Sequence, residues 1–167
     1  GIYRDVYLFA TPQVHLWDFG VRTELDEDYQ DAELKVHVDV KNYAATSVDG
    51  YAVEIALFDA EGNPVFEKSL SKPVNVGGQP DVTVEFVQTV VNPEKWSAES
   101  PYLYTLLLTL KDTQGEVLEV ERCNVGFRQV EIKDGQIHIN GVPILIKGVN
   151  RHEHEPKTGH TVTEAMM

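Results

Sequence analysis

Ala32 to Lys41 reads AELKVHVDVK, and its alternation decides the fold. Leu34, Val36, Val38 and Val40 are separated by Lys35, His37, Asp39 and Lys41, the period of two that places successive side chains on opposite faces of a strand. One face is apolar and the other charged, so the strand lies on a core with its other side in water. His37 falls on the wet side, where a histidine is ordinarily a solvated surface group rather than a ligand.

Upstream, His15 to Leu25 is a second extended stretch to which Leu16, Phe19 and Val21 contribute apolar side chains. The opening GIYRDVYLFATP alternates only in part and ends at Pro12, so it reads as one short strand that belongs to a sheet whose other members lie elsewhere. Downstream, Tyr51 to Asp59 repeats the alternation through Val53, Ile55 and Leu57. Glu61-Gly62-Asn63-Pro64 then turns the chain into Val65 to Leu70, which makes a hairpin. Ser71 to Asp81, with Pro73, Gly77, Gly78 and Pro80, has the composition of a loop. Val82 to Val90 resumes the pattern, Asn92-Pro93 interrupts it, and WSAESPYLY leads into the apolar strand Tyr102 to Leu110. Asp112 to Gly115 turns the chain back into Val117 to Val125.

No segment carries apolar residues at i, i+3, i+4 and i+7, so helices are expected to be few. Roughly seven short strands between Leu16 and Val125 are the pattern of an immunoglobulin-like β-sandwich of about 100 residues. The Cys…Trp…Cys spacing of antibody domains is absent, because Cys123 is the lone cysteine. It reads as a small core residue on a strand and implies no disulfide and no oxidising compartment.

After Val125 the character changes. Val130 and Ile132, Asp134-Gly135, then Ile137 and Ile139 form a compact hairpin whose Asp-Gly pair suits the positive φ angles of a type I′ turn. Asn140-Gly141 is a second turn. The unbroken apolar run Pro143 to Ile146 then fits a strand buried on both faces, as parallel sheets require.

Charge narrows the function classes. Lys and Arg total 14 against 27 Asp and Glu, a formal net charge of -13, and a negative surface repels nucleic-acid phosphates and anionic membranes. No apolar run reaches the roughly 18 residues of a spanning helix. Gly1 to Ala10 carries Arg4 and Asp5 where a signal peptide would be apolar, and both a cytoplasmic and a periplasmic location stay open.

The apolar run delivers a dense polar cluster, Asn150, Arg151, His152, Glu153, His154 and Glu155. On an extended chain His152 and His154 share one face, which suits a shared metal, yet a catalytic zinc needs about three protein ligands and no third candidate is evident. A solvated polar loop fits equally well. Pro156 stands three residues after Glu153, so the helical HExxH pattern is excluded. Glu153 and Glu155 point the same way on a strand and cannot flank a glycosidic bond from two sides, so they read as supporting or surface groups.

GIYRDVYL, NPEKWSAESPYLYTLLLTL and CNVGFRQVEIKDGQIHINGVPILIKGVNRHEHEPKTG together resemble glycoside hydrolase family two, and within it the large β-galactosidases; the NRHEH form favours galactosides over glucuronides and mannosides. The resemblance implies a retaining enzyme in which a sugar-binding jelly roll, an immunoglobulin-like sandwich and a TIM barrel follow one another. Residues 1–12 would be the last jelly-roll strand, 13–127 the sandwich, and 128–167 the hairpin and first strand of a truncated barrel. The chain would then lack both catalytic glutamates and be inactive alone, with the apolar run disordered, irregularly paired or folded back for want of cover. By the same resemblance His152 contacts the sugar and stabilises the transition state, Asn150 helps to bind it, and Arg151, Glu153 and His154 support the loop. No metal ligand falls in this segment, although magnesium and sodium are implied for the parent, as are a β-galactoside substrate and a homo-oligomer. A free-standing carbohydrate-binding sandwich is the alternative, and a His152/His154 metal hydrolase a third. Trp96 reads as a plug at the sandwich end, and Trp17 as an interface residue.

Overall fold

The alternation over β2 (Ala32–Asn42) is realised side chain by side chain: Leu34, Val36, Val38 and Val40 are buried, and the residues between them face outward. The computed structural model describes residues 5–44, 47–76, 81–150, 152–159 and 162–166. Seven strands build the sandwich: β1 (Val14–Leu25), β2, β3 (Val48–Phe58), β4 (Leu70–Val76), β5 (Asp81–Val90), β6 (Tyr104–Lys111) and β7 (Val117–Val125). Three shorter ones follow, β8 (Val130–Lys133), β9 (Gln136–Ile139) and β10 (Val142–Pro143), and the one helical turn among the described residues is Glu164–Met166. The strands pair antiparallel, in sheets of order β1-β2-β5, β4-β3-β6-β7 and β10-β9-β8.

The first two sheets face each other across one core. β2 and β5 supply Val36, Val38, Val84 and Phe86, and β3 and β6 supply Val53, Ile55, Leu57, Leu106, Leu108 and Leu110, all buried. Each such side chain contributes about 1.5–3 kcal/mol by leaving water. Phe127, just beyond β7, closes one end of this layer.

β1 explains a spacing that strict alternation does not. Leu16 pairs with Val40 but Asp18 pairs with Asp39, so Trp17 is an extra, bulged residue. The bulge changes the parity of the strand: Val14 and Leu16 face inward before it, and Phe19 and Val21 pack against the core after it.

One expectation is corrected, and two segments lie open without a covering sheet. The second strand of the expected hairpin does not run over Val65 to Leu70; β4 begins at Leu70 and takes in Pro73 from the stretch assigned to a loop. Val65 and Phe66 are instead half-buried against the core, while the Asp59 carboxylate accepts from the backbone of Glu61 and Asn63 and organises the turn. Pro73 is tolerated because β4 is a sheet edge, where a missing N–H costs no ladder bond; Gly77, Gly78 and Pro80 lie outside the described residues. Residues 5–12, expected to pair with a sheet lying elsewhere, have no sheet partner among the described residues, and Val6, Tyr7, Leu8 and Phe9 are exposed. The apolar run, whose pattern suits burial on both faces, lies without that cover: β10 stops at Pro143, Ile144 N–H donates once more to Ile137 C=O at 2.9 Å, and Leu145 and Ile146 are 80% and 71% exposed.

Candidate active-site segment and its mounting

The hairpin leading to the polar cluster is set by two turns that demand left-handed backbone. Asp134 and Gly135 have φ of 51° and 75°, and Asn140 and Gly141 have 51° and 76°. Asn and Asp tolerate this region better than other side chains, and glycine enters it freely. β8 pairs with β9 across the first turn and β9 with β10 across the second.

Among the described residues, the next β-bridge after β10 is that of Glu155 with Gly159. Asn150, His152 and His154 are exposed and Glu153 is half-buried; Arg151 lies outside the described residues. Glu155 is committed to a local turn, in which its carboxylate accepts from Thr158 N at 2.7 Å, Lys157 N at 2.6 Å and Thr158 Oγ1 at 3.2 Å. Those backbone donors, Thr158 first, hold its carboxyl below the usual glutamate range. The backbones of Glu155 and Gly159 exchange hydrogen bonds of 2.7 and 2.8 Å that close the turn. Among the described residues no three His, Cys, Asp or Glu side chains form a group able to hold a metal ion.

What the sequence did not reveal is how this segment is mounted on the sandwich. Gln129 N donates to Asn140 Oδ1 at 2.9 Å, Asn140 N donates to Gln129 O at 2.9 Å, and Asn140 Nδ2 donates to Trp96 O at 3.1 Å. Gln129 Oε1 in turn accepts from Leu25 N at 3.1 Å. Tyr29, in the loop between β1 and β2, donates to Glu131 Oε2 at 2.5 Å and accepts from Lys133. The tyrosine hydrogen bond, followed by that of Lys133, holds the Glu131 carboxyl below its ordinary value. The Asn-Gly and Asp-Gly pairs were legible as turns; the contacts that mount the hairpin, from Trp96, 44 positions before Asn140, and from Tyr29, 102 positions before Glu131, were not.

The two tryptophans behave as surface-joint residues. Trp96 is half-buried, packs so tightly on Gly126 that a Cβ there would lie 3.1 Å from its own Cβ, and carries the Arg128 guanidinium 4.6 Å from its ring centre. Trp17, exposed on its bulge, has Lys41 Nζ 4.0 Å above its ring and the buried His15 against its edge.

An antiparallel immunoglobulin-like sandwich bonded to a hairpin, with an apolar run and a polar cluster beyond it, defines the class as a β-sandwich module with a C-terminal hairpin extension. Residues 14–128 match the family described as glycosyl hydrolases family 2, and residues 130–167 match the TIM barrel domain of that family. The chain belongs to glycosyl hydrolases family 2. It is 46% identical over 159 residues to a β-galactosidase of Priestia megaterium, covering 95% of this chain and 15% of that protein. To a β-galactosidase of Vibrio cholerae it is 42% identical over 171 residues, covering all of this chain and 16% of that protein. Among solved structures, a β-glucuronidase of Bacteroides uniformis superposes with a TM-score of 0.85 at 24% identity, over 99% of this chain and 20% of that one. A Parabacteroides merdae β-glucuronidase superposes at 0.74 with 27% identity, over 93% and 18%. The chain therefore spans about a sixth of the length of the curated relatives it matches.

Proposed function

We propose that this chain is the sandwich and first barrel segment of a retaining β-galactosidase that hydrolyses terminal β-galactosides. The observation that carries the reading is the 46% identity to a β-galactosidase over 95% of the chain. In this reading residues 1–12 close an N-terminal sugar-binding domain, 13–127 form the sandwich and 128–167 begin the barrel. Active sites of such barrels sit at the C-terminal ends of their strands, the position of Asn150 and His152 relative to the apolar run. The longer protein acts as a homo-oligomer.

His152 offers a ring nitrogen to a sugar hydroxyl and Asn150 an amide, while Arg151, Glu153 and His154 support the loop. Such a contact accelerates the reaction only if it strengthens as the ring becomes oxocarbenium-like. The bond-breaking carboxylates have no counterpart here, and the segment alone is silent. The resemblance also implies magnesium and sodium for the longer protein; the described residues offer no cluster of three ligands for either.

The test uses the longer protein that contains this segment and 4-nitrophenyl glycosides. Faster hydrolysis of the β-galactoside than of the β-glucuronide is expected, with His152→Ala lowering kcat about 10²-fold or more and raising KM far less. A preference for the glucuronide, or turnover by the 167-residue chain by itself, would refute the proposal.

A further inference from the structure

We propose that Tyr29 and Asn140 are positioning residues that seat the first barrel strand on the sandwich and, through it, place His152. The inference rests on reading His152 as a sugar-contacting group. Among the described residues, the turn at Asn140-Gly141 carries the last hydrogen bond to the sandwich before the chain runs on to the cluster. Asn140 uses both ends of its amide: the oxygen accepts from Gln129 within the hairpin, and the nitrogen donates to the Trp96 carbonyl of the sandwich. Alanine keeps neither bond, and an ionised aspartate keeps only the acceptor.

Tyr29 holds the same turn from the other side. A Cβ on Gly141 would lie 2.6 Å from Tyr29 Cε2, so the ring occupies the space that only glycine leaves open. The tyrosine hydroxyl bridges Glu131 and Lys133 on β8. Its loop is braced as well: the Asp26 carboxylate accepts from Gln30 N at 2.7 Å and Asp31 N at 3.0 Å, and Asp31 Oδ1 accepts from Asn92 N at 2.8 Å. Tyr29 itself has φ of 55°. A bulky side chain in the left-handed region is strained, and such strain persists where the surroundings over-determine it.

The hairpin needs this seat. Strands of four, four and two residues form no independently stable sheet, and Val130, Ile132 and Val142 are exposed rather than packed on the sandwich. The polar joint therefore sets its direction. An error of about 1 Å at a catalytic group costs on the order of 10²-fold in rate, so loosening the joint acts on turnover although neither residue touches sugar.

Two measurements test this. In the 167-residue chain, Tyr29→Ala and Asn140→Ala should speed amide exchange of Val130 to Ile144 about tenfold or more while the amides of β2 and β6 keep their protection; unchanged exchange over the hairpin would overturn the proposal. In the longer protein, both variants should lower kcat about tenfold or more with KM nearly constant, and Tyr29→Phe, which keeps the ring against Gly141, should recover most of the loss. A wild type active on β-galactosides whose variants keep full kcat overturns the proposal and leaves the functional reading intact. A wild type without galactosidase activity overturns the reading of His152 and the catalytic half of the proposal with it.

Discussion

Phe127→Ala removes the largest fully buried side chain of the sandwich while leaving the backbone joint in place. The Phe127 ring meets Tyr104 edge to face at 5.0 Å, and Tyr104 meets Tyr102 at 5.1 Å, so one end of the core is an aromatic stack. Its main chain is held separately, by the 2.9 Å bond from Trp96 N to Phe127 O and the bridge to Lys95. Deleting a buried phenylalanine ring costs about 3–5 kcal/mol, the upper part applying where neighbours cannot collapse into the void. Here Tyr104 is anchored by accepting from Glu94 N at 2.8 Å, so about 4 kcal/mol is expected. A domain of this size is stable by about 5–15 kcal/mol, and the variant should still fold at 25 °C. With a urea slope of about 2 kcal/mol/M the midpoint falls by about 2 M. Phe127→Leu keeps most of the volume but loses the edge-to-face geometry and should cost about 1–1.5 kcal/mol. Urea unfolding followed in parallel by far-UV circular dichroism and tryptophan fluorescence measures both. An alanine variant within about 1.5 kcal/mol of wild type, at unchanged slope, would refute the assignment of Phe127 as the end of the core.

Two further outcomes follow from electrostatics. The Lys111 hydrogen bond at 2.7 Å holds the Glu54 carboxyl below its ordinary value. Its stabilisation is therefore complete above the unfolded glutamate value and is lost as pH falls through the lower folded one. Glu54→Gln should cost up to about 1 kcal/mol at pH 7 and almost nothing once the wild-type carboxyl is protonated; a difference in urea midpoint independent of pH would contradict the pairing. Burial raises the Cys123 thiol above its ordinary value, so at pH 8 it should react with a disulfide reagent at least about tenfold more slowly in the folded chain than in urea. Equal rates would place Cys123 outside the core.

The sandwich was readable because its evidence is local. Leu34, Val36, Val38 and Val40 declare their face by spacing alone, and so do Val53, Ile55 and Leu57. Prediction failed where tertiary context overrides composition. The step from Leu16 to Phe19 breaks the period because Trp17 is bulged out, and no propensity marks a tryptophan as the extra residue. Pro73 reads as a loop residue until β4 is known to be an edge.

The cluster was legible as composition and not as geometry, for a physical reason. Residues two apart share a face only on a strand held extended by neighbours, and Asn150, His152 and His154 lie beyond the last ladder pair, between Pro143 and His138. Pro143 to Ile146 has no polar face at all, so any surface it shows to water is unfavourable, and Leu145 and Ile146 show most of theirs. Side-chain spacing thus records which surroundings a segment suits, whereas the placement of His152 depends on what holds the segment. In this chain the hold is the amide of Asn140 and the ring of Tyr29. Neither belongs to an alternating pattern, and the Tyr29–Glu131 bond spans 102 positions, so strand periodicity carries no trace of the joint.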